Sequence, residues 1–299
     1  MTSGPAADEV AGVLGLRGRG EVTAAMALAR LLVARKDVGS VRRALREAAG
    51  AGDHAGAARE LERLLDANAA GAERAVAMLT SDLDGGSAGS LDEGIARCAR
   101  LFDWAVGVDP AASVALYSLG DEGLLAAATA EAVGLMRALG VVAPGRELLD
   151  LGCGTGRFAA ALAPEVASVT GVDVSAEMVR AARERCVGLA NVRLLQTSGR
   201  DLATFADGSF DAVIAVDSFP YLYRVGGLAF AEAQLREVAR VLRPGGDALV
   251  MNLSYRADLA LDRAEAEGFA VRLGFVLQRN GTSDLRSWDG VTFHFRKVG

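Results

Sequence analysis

Residues 147–158 read Glu147-Leu148-Leu149-Asp150-Leu151-Gly152-Cys153-Gly154-Thr155-Gly156-Arg157-Phe158, and this stretch decides the fold. Leu148, Leu149 and Leu151 form the short apolar run of a strand buried on both faces of a parallel sheet. Gly152, Gly154 and Gly156 let the backbone turn sharply and approach a ligand that a Cβ would push away. Small and apolar residues from Phe158 to Leu162 then open a helix whose first N–H groups face the crevice. Asp150, at the carboxyl end of the strand, is placed to meet an ammonium or a hydroxyl.

A glycine-rich turn by itself also suits a dinucleotide enzyme. The residues around it separate the two readings. Asp-Leu-Gly-Cys-Gly-Thr-Gly, with an acid ahead of the first glycine, resembles the cofactor motif of class I S-adenosylmethionine-dependent methyltransferases. Three further matches follow in the family's order: Val169-Thr170-Gly171-Val172-Asp173-Val174-Ser175, Asp207-Gly208-Ser209-Phe210-Asp211 and Val241-Leu242-Arg243-Pro244-Gly245-Gly246. They resemble, respectively, the second strand with its ribose-binding acid, the lead-in to the fourth strand, and the turn before the fifth.

The resemblance implies a Rossmann-like, doubly wound α/β fold. Its sheet has seven strands with the last one antiparallel, which a dinucleotide-binding Rossmann domain lacks. It also implies S-adenosylmethionine as cofactor and S-adenosylhomocysteine as product. Asp150, Gly152, Cys153, Gly154 and Gly156 would then cradle the methionine end. Asp173 would hold the ribose hydroxyls, with Val174 and Met178 against the adenine. Ser198 and Gly199 follow the third strand, where the family often has an acid for the adenine amino group. Here a serine stands instead, with Arg200 and Asp201 beyond it as an adenine cover and a turn cap.

The strand pattern agrees with an alternating α/β chain. Strands are expected near 147–151, 168–173, 191–196, 211–216 and 247–252, and helices near 156–164, 175–186, 227–242 and 257–267. After Gly268 two β-rich runs are expected, Phe269–Leu277 and Val291–Lys297, with Asn280-Gly281 as the turn signal between them.

Ahead of this domain, residues 1–80 read as a helical extension. Val22, Met26 and Leu32, and again Ala58, Leu61 and Leu65, recur at helical spacing with charges on the other side. Packing on the main domain or homodimerisation accounts for such faces, and nothing in them names a partner. Residues 81–90 form a linker rich in Asp, Gly and Ser. Residues 91–145 form a helical cap, opened by Ser90 and Glu93 at capping-box spacing and broken at Asp109-Pro110. In this family such helices fold over the cofactor, so Tyr117, with Phe102 and Trp104, is a candidate lid residue. The methyltransferase domain proper is expected over 146–299.

Composition narrows the partners. Hydrophobic residues make up 51% of the 299, enough for a sizeable core, and the net charge of −6 argues against nucleic-acid acceptors. Cys98, Cys153 and Cys186 are scattered, without metal spacing, as in a reduced cytoplasm. Cys153 reads as a small residue that fits the loop. The N-terminal residues lack the pattern of a secretory signal, and no apolar stretch is long enough to span a bilayer. The expectation is a soluble, cytoplasmic protein that touches neither nucleic acid nor membrane.

The fourth strand ends at Asp217-Ser218-Phe219-Pro220-Tyr221, where cofactor and acceptor meet in this family. Asp217 and Ser218 are expected near the methionine moiety, and Phe219, Tyr221 and Tyr117 near the acceptor. The order resembles the Asn/Asp-Pro-Pro-Tyr signature of nitrogen methyltransferases, but Phe219 replaces a proline, so the atom methylated stays open. Displacement at a sulfonium asks mainly for alignment, and a base is needed only for an acceptor that is protonated at working pH. His54 and His294, the only histidines, fall in the extension and the last strand. That leaves Tyr117, Tyr221 and Asp217 as candidates, and no metal cluster stands out. The leading expectation is methyl transfer to a small apolar or aromatic metabolite. The alternatives are a regulatory protein that binds the cofactor without transfer, and a nicotinamide oxidoreductase.

Overall fold

The apolar runs expected to be strands are strands in the computed structural model, which describes residues 5–50, 52–81 and 89–299, with side chains from residue 8. The expected linker at 81–90 lies for the most part outside the described residues. The chain divides into two units. One gathers the N-terminal helices with Ala105–Glu131 and Leu285–Asp289, and the other holds every strand.

The α/β unit contains β1 (Glu147–Leu151), β2 (Ser168–Asp173), β3 (Val192–Gln196), β4 (Phe210–Val216), β5 (Leu242–Met251), β6 (Phe275–Ser283) and β7 (Val291–Lys297). They form one sheet of order β3-β2-β1-β4-β5-β7-β6. The first five pair in parallel; β7 runs antiparallel between β5 and β6, as expected of the family's last strand. The order reverses between β1 and β4, so a crevice opens at the carboxyl ends of those strands. Leu148, Leu149, Val213 and Ile214 are at most 1% exposed, which explains why β1 and β4 are apolar without alternation.

Toward the opposite end of the sheet, Asp247 is wholly buried. It accepts hydrogen bonds from Arg146 (2.7 Å) and Arg296 (2.8 Å) and pairs with His294 (2.8 Å). These partners hold its carboxyl below the ordinary value against the upward push of burial. His294 is thus part of a buried polar network, not of the crevice.

Among the described residues, twelve α-helices complete the chain. They are α1 (Pro5–Gly18), α2 (Ala24–Arg35), α3 (Val38–Ala49), α4 (Ala55–Ala67), α5 (Ala69–Leu79), α6 (Leu91–Val108), α7 (Pro110–Val114), α8 (Glu122–Ala138), α9 (Arg157–Leu162), α10 (Ala176–Arg185), α11 (Phe219–Val241) and α12 (Leu259–Leu273). None is long and apolar enough to cross a membrane.

Four element boundaries differ from the sequence reading, each at or beside a glycine. β5 begins at Leu242, not Asp247, so Arg243-Pro244-Gly245-Gly246, read as the turn before the fifth strand, lies inside it at a register shift against β4. α11 begins at Phe219, not Gly227, because Pro220 in its first turn favours a helix start; Gly227 (φ 67°) is a kink inside it. α12 runs on to Leu273, so the β-rich run begins at Phe275 instead of Phe269. Gly268 lies inside the helix, and left-handed Gly274 (φ 73°) ends it. Asn280-Gly281 is not the turn before the last strand. Gly281 (φ 66°) sits at a register shift within β6, and the connection to β7 comes later, between Ser283 and Val291.

The helical unit packs on small residues. Ala58, Leu61 and Leu65 are wholly buried and Val22, Met26 and Leu32 at most 8% exposed, as their spacing foretold. Asp109 caps α7 by accepting from the N–H of Ala112 (2.9 Å), with Pro110 next to it, and its other oxygen accepts from Arg74 (2.9 Å). Tyr117 is 6% exposed, its ring 6.2 Å from that of Trp288 within the same unit. On α5, a Cβ at Gly71 would lie 1.9 Å from the carbonyl oxygen of Leu119. Gly71→Ala is therefore expected to push α5 off this loop and destabilise the unit by about 2 kcal/mol, the ordinary scale of overpacking. Denaturant unfolding followed by far-ultraviolet dichroism checks this.

Candidate active site

The turn after β1 is built by close approach. Gly152 (φ 78°) lies so near Ser218, at the end of β4, that a Cβ would meet the Ser218 Cβ at 2.5 Å. Only glycine lets the two chain segments meet at the switch point of the sheet.

Three buried side-chain oxygens around this turn have no hydrogen-bond partner: Asp150 Oδ2, Thr155 Oγ1 and Ser218 Oγ. Buried polar atoms are rarely left so, because each costs about 1–3 kcal/mol. Burial pushes the Asp150 carboxyl up to about 7, against the pull of Arg157 and with some help from Asp173. A cationic or hydroxyl-bearing ligand would satisfy these atoms. The Cys153 thiol is 5% exposed and held well above its ordinary value, chiefly by burial, so it stays protonated and is no nucleophile.

Asp173, at the end of β2, accepts from the Gly154 N–H through Oδ2 (2.9 Å) and from the Ser175 N–H through Oδ1 (2.9 Å). It therefore ties the glycine turn to the start of α10. Burial raises its carboxyl despite these bonds. The Val174 backbone N–H bonds it as well, and the remaining lone-pair capacity of the carboxylate is left for hydroxyl donors. Ser175 caps α10 by accepting from the Met178 N–H (3.0 Å), and its own hydroxyl donates to Asp103 of α6 (2.6 Å). Asp103 escaped the sequence reading because only the tertiary fold brings α6 to this point.

Beyond β3, Gly199 (φ 73°) packs closely against Val174 and against Ile95 of α6. The buried Gln234 side chain donates to the carbonyls of Gly199 (3.1 Å) and Arg200 (2.7 Å), fixing this turn. Ser198 is exposed, and its hydroxyl accepts from the Arg200 N–H (3.3 Å). The Arg200 side chain pairs with Asp92 of α6. Met178 is 1% exposed, within the packing of α10.

At the end of β4, Asp217 adopts a left-handed conformation (φ 57°). Its Oδ1 accepts from Asn252 Nδ2 (2.8 Å) and from the Tyr255 hydroxyl (2.8 Å). Tyr221 stands edge-on to Phe102 (4.8 Å between centroids) and to Tyr255 (5.9 Å). Phe219 is wholly buried, in the core cluster of the α/β unit. Asn252 and Tyr255 carry no sequence signal, because they follow β5, about 35 residues from the β4 motif.

The structure thus brings Asp150, the glycine turn, Asp173, Val174, Gly199, Asp217, Ser218 and Tyr221 to one end of the α/β unit. Tyr117 belongs to the helical unit. Among the described residues, no group of three His, Cys, Asp or Glu side chains is placed to hold a metal ion.

Residues 149–250, the core of this arrangement, match the family model described as a methyltransferase domain. Over those residues the α/β unit is similar to a methyltransferase domain. A demethylmenaquinone methyltransferase of Tropheryma whipplei is 40% identical to this chain over 141 residues, covering 47% of the chain and 53% of that protein. An O-methyltransferase of Pyrenophora dematioidea is 34% identical over 122 residues, 40% of this chain and 41% of that one. The chain thus spans about half the length of the curated relatives it matches. A solved structure of phosphoethanolamine N-methyltransferase 1 from Haemonchus contortus, in complex with phosphoethanolamine and S-adenosylhomocysteine, superposes with a TM-score of 0.52 at 15% identity. It covers 70% of this chain and 50% of its own. That likeness is one of fold alone.

Proposed function

We propose that the protein transfers a methyl group from S-adenosylmethionine to a small apolar or aromatic acceptor. The observation that carries this reading is the set of partnerless oxygens around the glycine turn, on the same strand ends as Asp173. Asp150 would take the ammonium of the cofactor, with Thr155 and Ser218 as further partners for its methionine end. Asp173 would take the two ribose hydroxyls while still holding the Gly154 and Ser175 N–H groups. Val174, Ile95 and Gly199 would receive the adenine. When bound, the cofactor supplies a sulfonium methyl, a carbon already activated for displacement.

The protein's task is then to align the acceptor and exclude water, a contribution on the order of 7–11 kcal/mol in well-oriented reactions. Tyr221, Phe102 and Tyr255 form an aromatic wall beside Asp217, suited to an apolar or planar body. Phe219 serves by filling the core beneath that wall, and Asp217 is the carboxylate nearest to it.

Incubation with S-adenosylmethionine and a panel of phenols, amines and thiols, with S-adenosylhomocysteine read by mass spectrometry, tests the reading. Acceptor-dependent formation of S-adenosylhomocysteine is the expected result. Tight cofactor binding without turnover on any acceptor would favour a regulatory protein instead.

A further inference from the structure

We propose that Asp103 is a positioning residue that latches α6 across the cofactor crevice and sets how fast the cofactor enters and leaves. The inference rests on the methyl-transfer reading and concerns access to that site.

As far as Trp104, α6 belongs to the α/β unit. It touches the turns after three strands. After β2, Asp103 Oδ1 accepts from the Ser175 hydroxyl (2.6 Å) and from the Glu177 N–H (3.1 Å). After β3, Ile95 packs against Gly199, and Asp92 pairs with Arg200. After β4, Phe102 stands edge-on to Tyr221 (4.8 Å), and Leu91 lies against Gly226. In the sheet, β1 lies between β2 and β4. A helix that touches the turns of both flanking strands therefore spans the glycine turn between them, where the partnerless oxygens are. A ligand of the size of an adenosyl compound passes beneath α6 as it comes and goes.

The bonds of Asp103 are the ones whose loss frees the helix. The side chains of Asp92 and Arg200 are both more than half exposed, and such pairs contribute little. The contacts of Ile95, Phe102 and Leu91 are apolar and non-directional. Asp103 makes two directional bonds from a carboxylate, and one of them takes an N–H in the first turn of α10, where negative charge is favoured. Ser175 gives its proton to Asp103 while its oxygen accepts from the Met178 N–H (3.0 Å), so the cap of α10 survives removal of Asp103.

The latch is also placed to open. Asp103 and Asp173 hold two groups of one residue, the hydroxyl and the N–H of Ser175. Burial is the main cause of the raised Asp173 carboxyl, and the charge of Asp103 adds to it, so the two carboxylates repel across the residue they share. Phe102 is next to Asp103 in the chain, so lifting the latch also withdraws the ring that faces Tyr221.

A residue that only supports bound cofactor changes the rate of its departure. A latch that is closed between binding events slows arrival as well, because only the open fraction admits ligand. Surface plasmon resonance of S-adenosylhomocysteine on the immobilised full chain measures both rates. Asp103→Ala is expected to raise the association and dissociation rate constants together by about tenfold or more, the value of hydrogen bonds to a charged group. Affinity should change less than either rate. Asp103→Asn keeps an acceptor oxygen and is expected to fall between. Arg100→Ala, at an exposed position of the same helix, is expected to match the wild type. An unchanged association rate in both Asp103 variants, with dissociation alone faster, would reduce Asp103 to a support and overturn the proposal. Equal acceleration in Arg100→Ala would overturn it too. If circular dichroism shows that Asp103→Ala does not fold, Asp103→Asn decides by the same criterion. Failure of S-adenosylhomocysteine to bind the wild type would instead sink the methyl-transfer reading beneath it.

Discussion

Asp173→Ala is expected to weaken binding of S-adenosylmethionine by about 100- to 1,000-fold while leaving the sheet folded. The carboxylate is proposed to accept two hydroxyls, and hydrogen bonds to a charged group contribute roughly 1.5–3 kcal/mol each. It also holds the Gly154 and Ser175 N–H groups. Its loss therefore loosens the turn that carries the methionine end as well as removing the ribose contact. About 3–4 kcal/mol lost from binding corresponds to that range of affinity. Folding does not share the penalty, since burial already disfavours this charge. Asp173→Asn keeps one acceptor oxygen and is expected to fall between the two. Calorimetry gives the affinities and circular dichroism the fold. Turnover of Asp173→Ala should recover as cofactor is raised, because the defect is in affinity. An unchanged affinity would remove Asp173 from the site.

Asp150→Asn is expected to act in opposite directions on stability and on binding. Burial raises this carboxyl from 3.8 to about 7. Between those pH values the folded protein holds a proton that the unfolded chain has released, so stability falls as pH rises through the window. Above pH 7 the full penalty applies, on the order of 4 kcal/mol for a rise of this size. Asparagine does not ionise. The variant should match the wild type near pH 4 and be more stable by a few kcal/mol at pH 8, as read by denaturant unfolding. It should also bind cofactor more weakly, having lost the charge proposed to face the ammonium. Wild-type affinity should rise between pH 6 and 8, and that rise should vanish in the variant. A variant no more stable than the wild type at pH 8 would show that Asp150 is not strained in the empty site.

The places of both residues at strand ends were legible in the sequence, because each stands where the backbone itself imposes a requirement. Gly152 must be glycine to meet Ser218, and Asp150 and Asp173 end strands whose apolar runs leave little freedom of register. The same reasoning found the capped start of α6, where the Glu93 N–H donates to Ser90 Oγ (3.3 Å). It misplaced Asn280-Gly281 because a bulge and a hairpin turn make one demand, a residue at positive φ, and only strand pairing tells them apart. It ended α12 too early at Gly268, a glycine that packing tolerates inside a helix. Asn252, Tyr255, Asp103 and Ile95 were not legible at all. Nothing local marks them, since their roles come from neighbours more than thirty residues away along the chain.

The central claim is that the crevice beside Asp150 and Asp173 is built for a sulfonium nucleoside and not for a dinucleotide. Parallel calorimetric titrations of the purified chain with S-adenosylmethionine, S-adenosylhomocysteine and NADH at pH 8 address it most directly. Micromolar binding of both sulfur compounds at one per chain, with no heat from NADH, is the expected result. Binding of NADH, or silence from both sulfur compounds, would contradict the account.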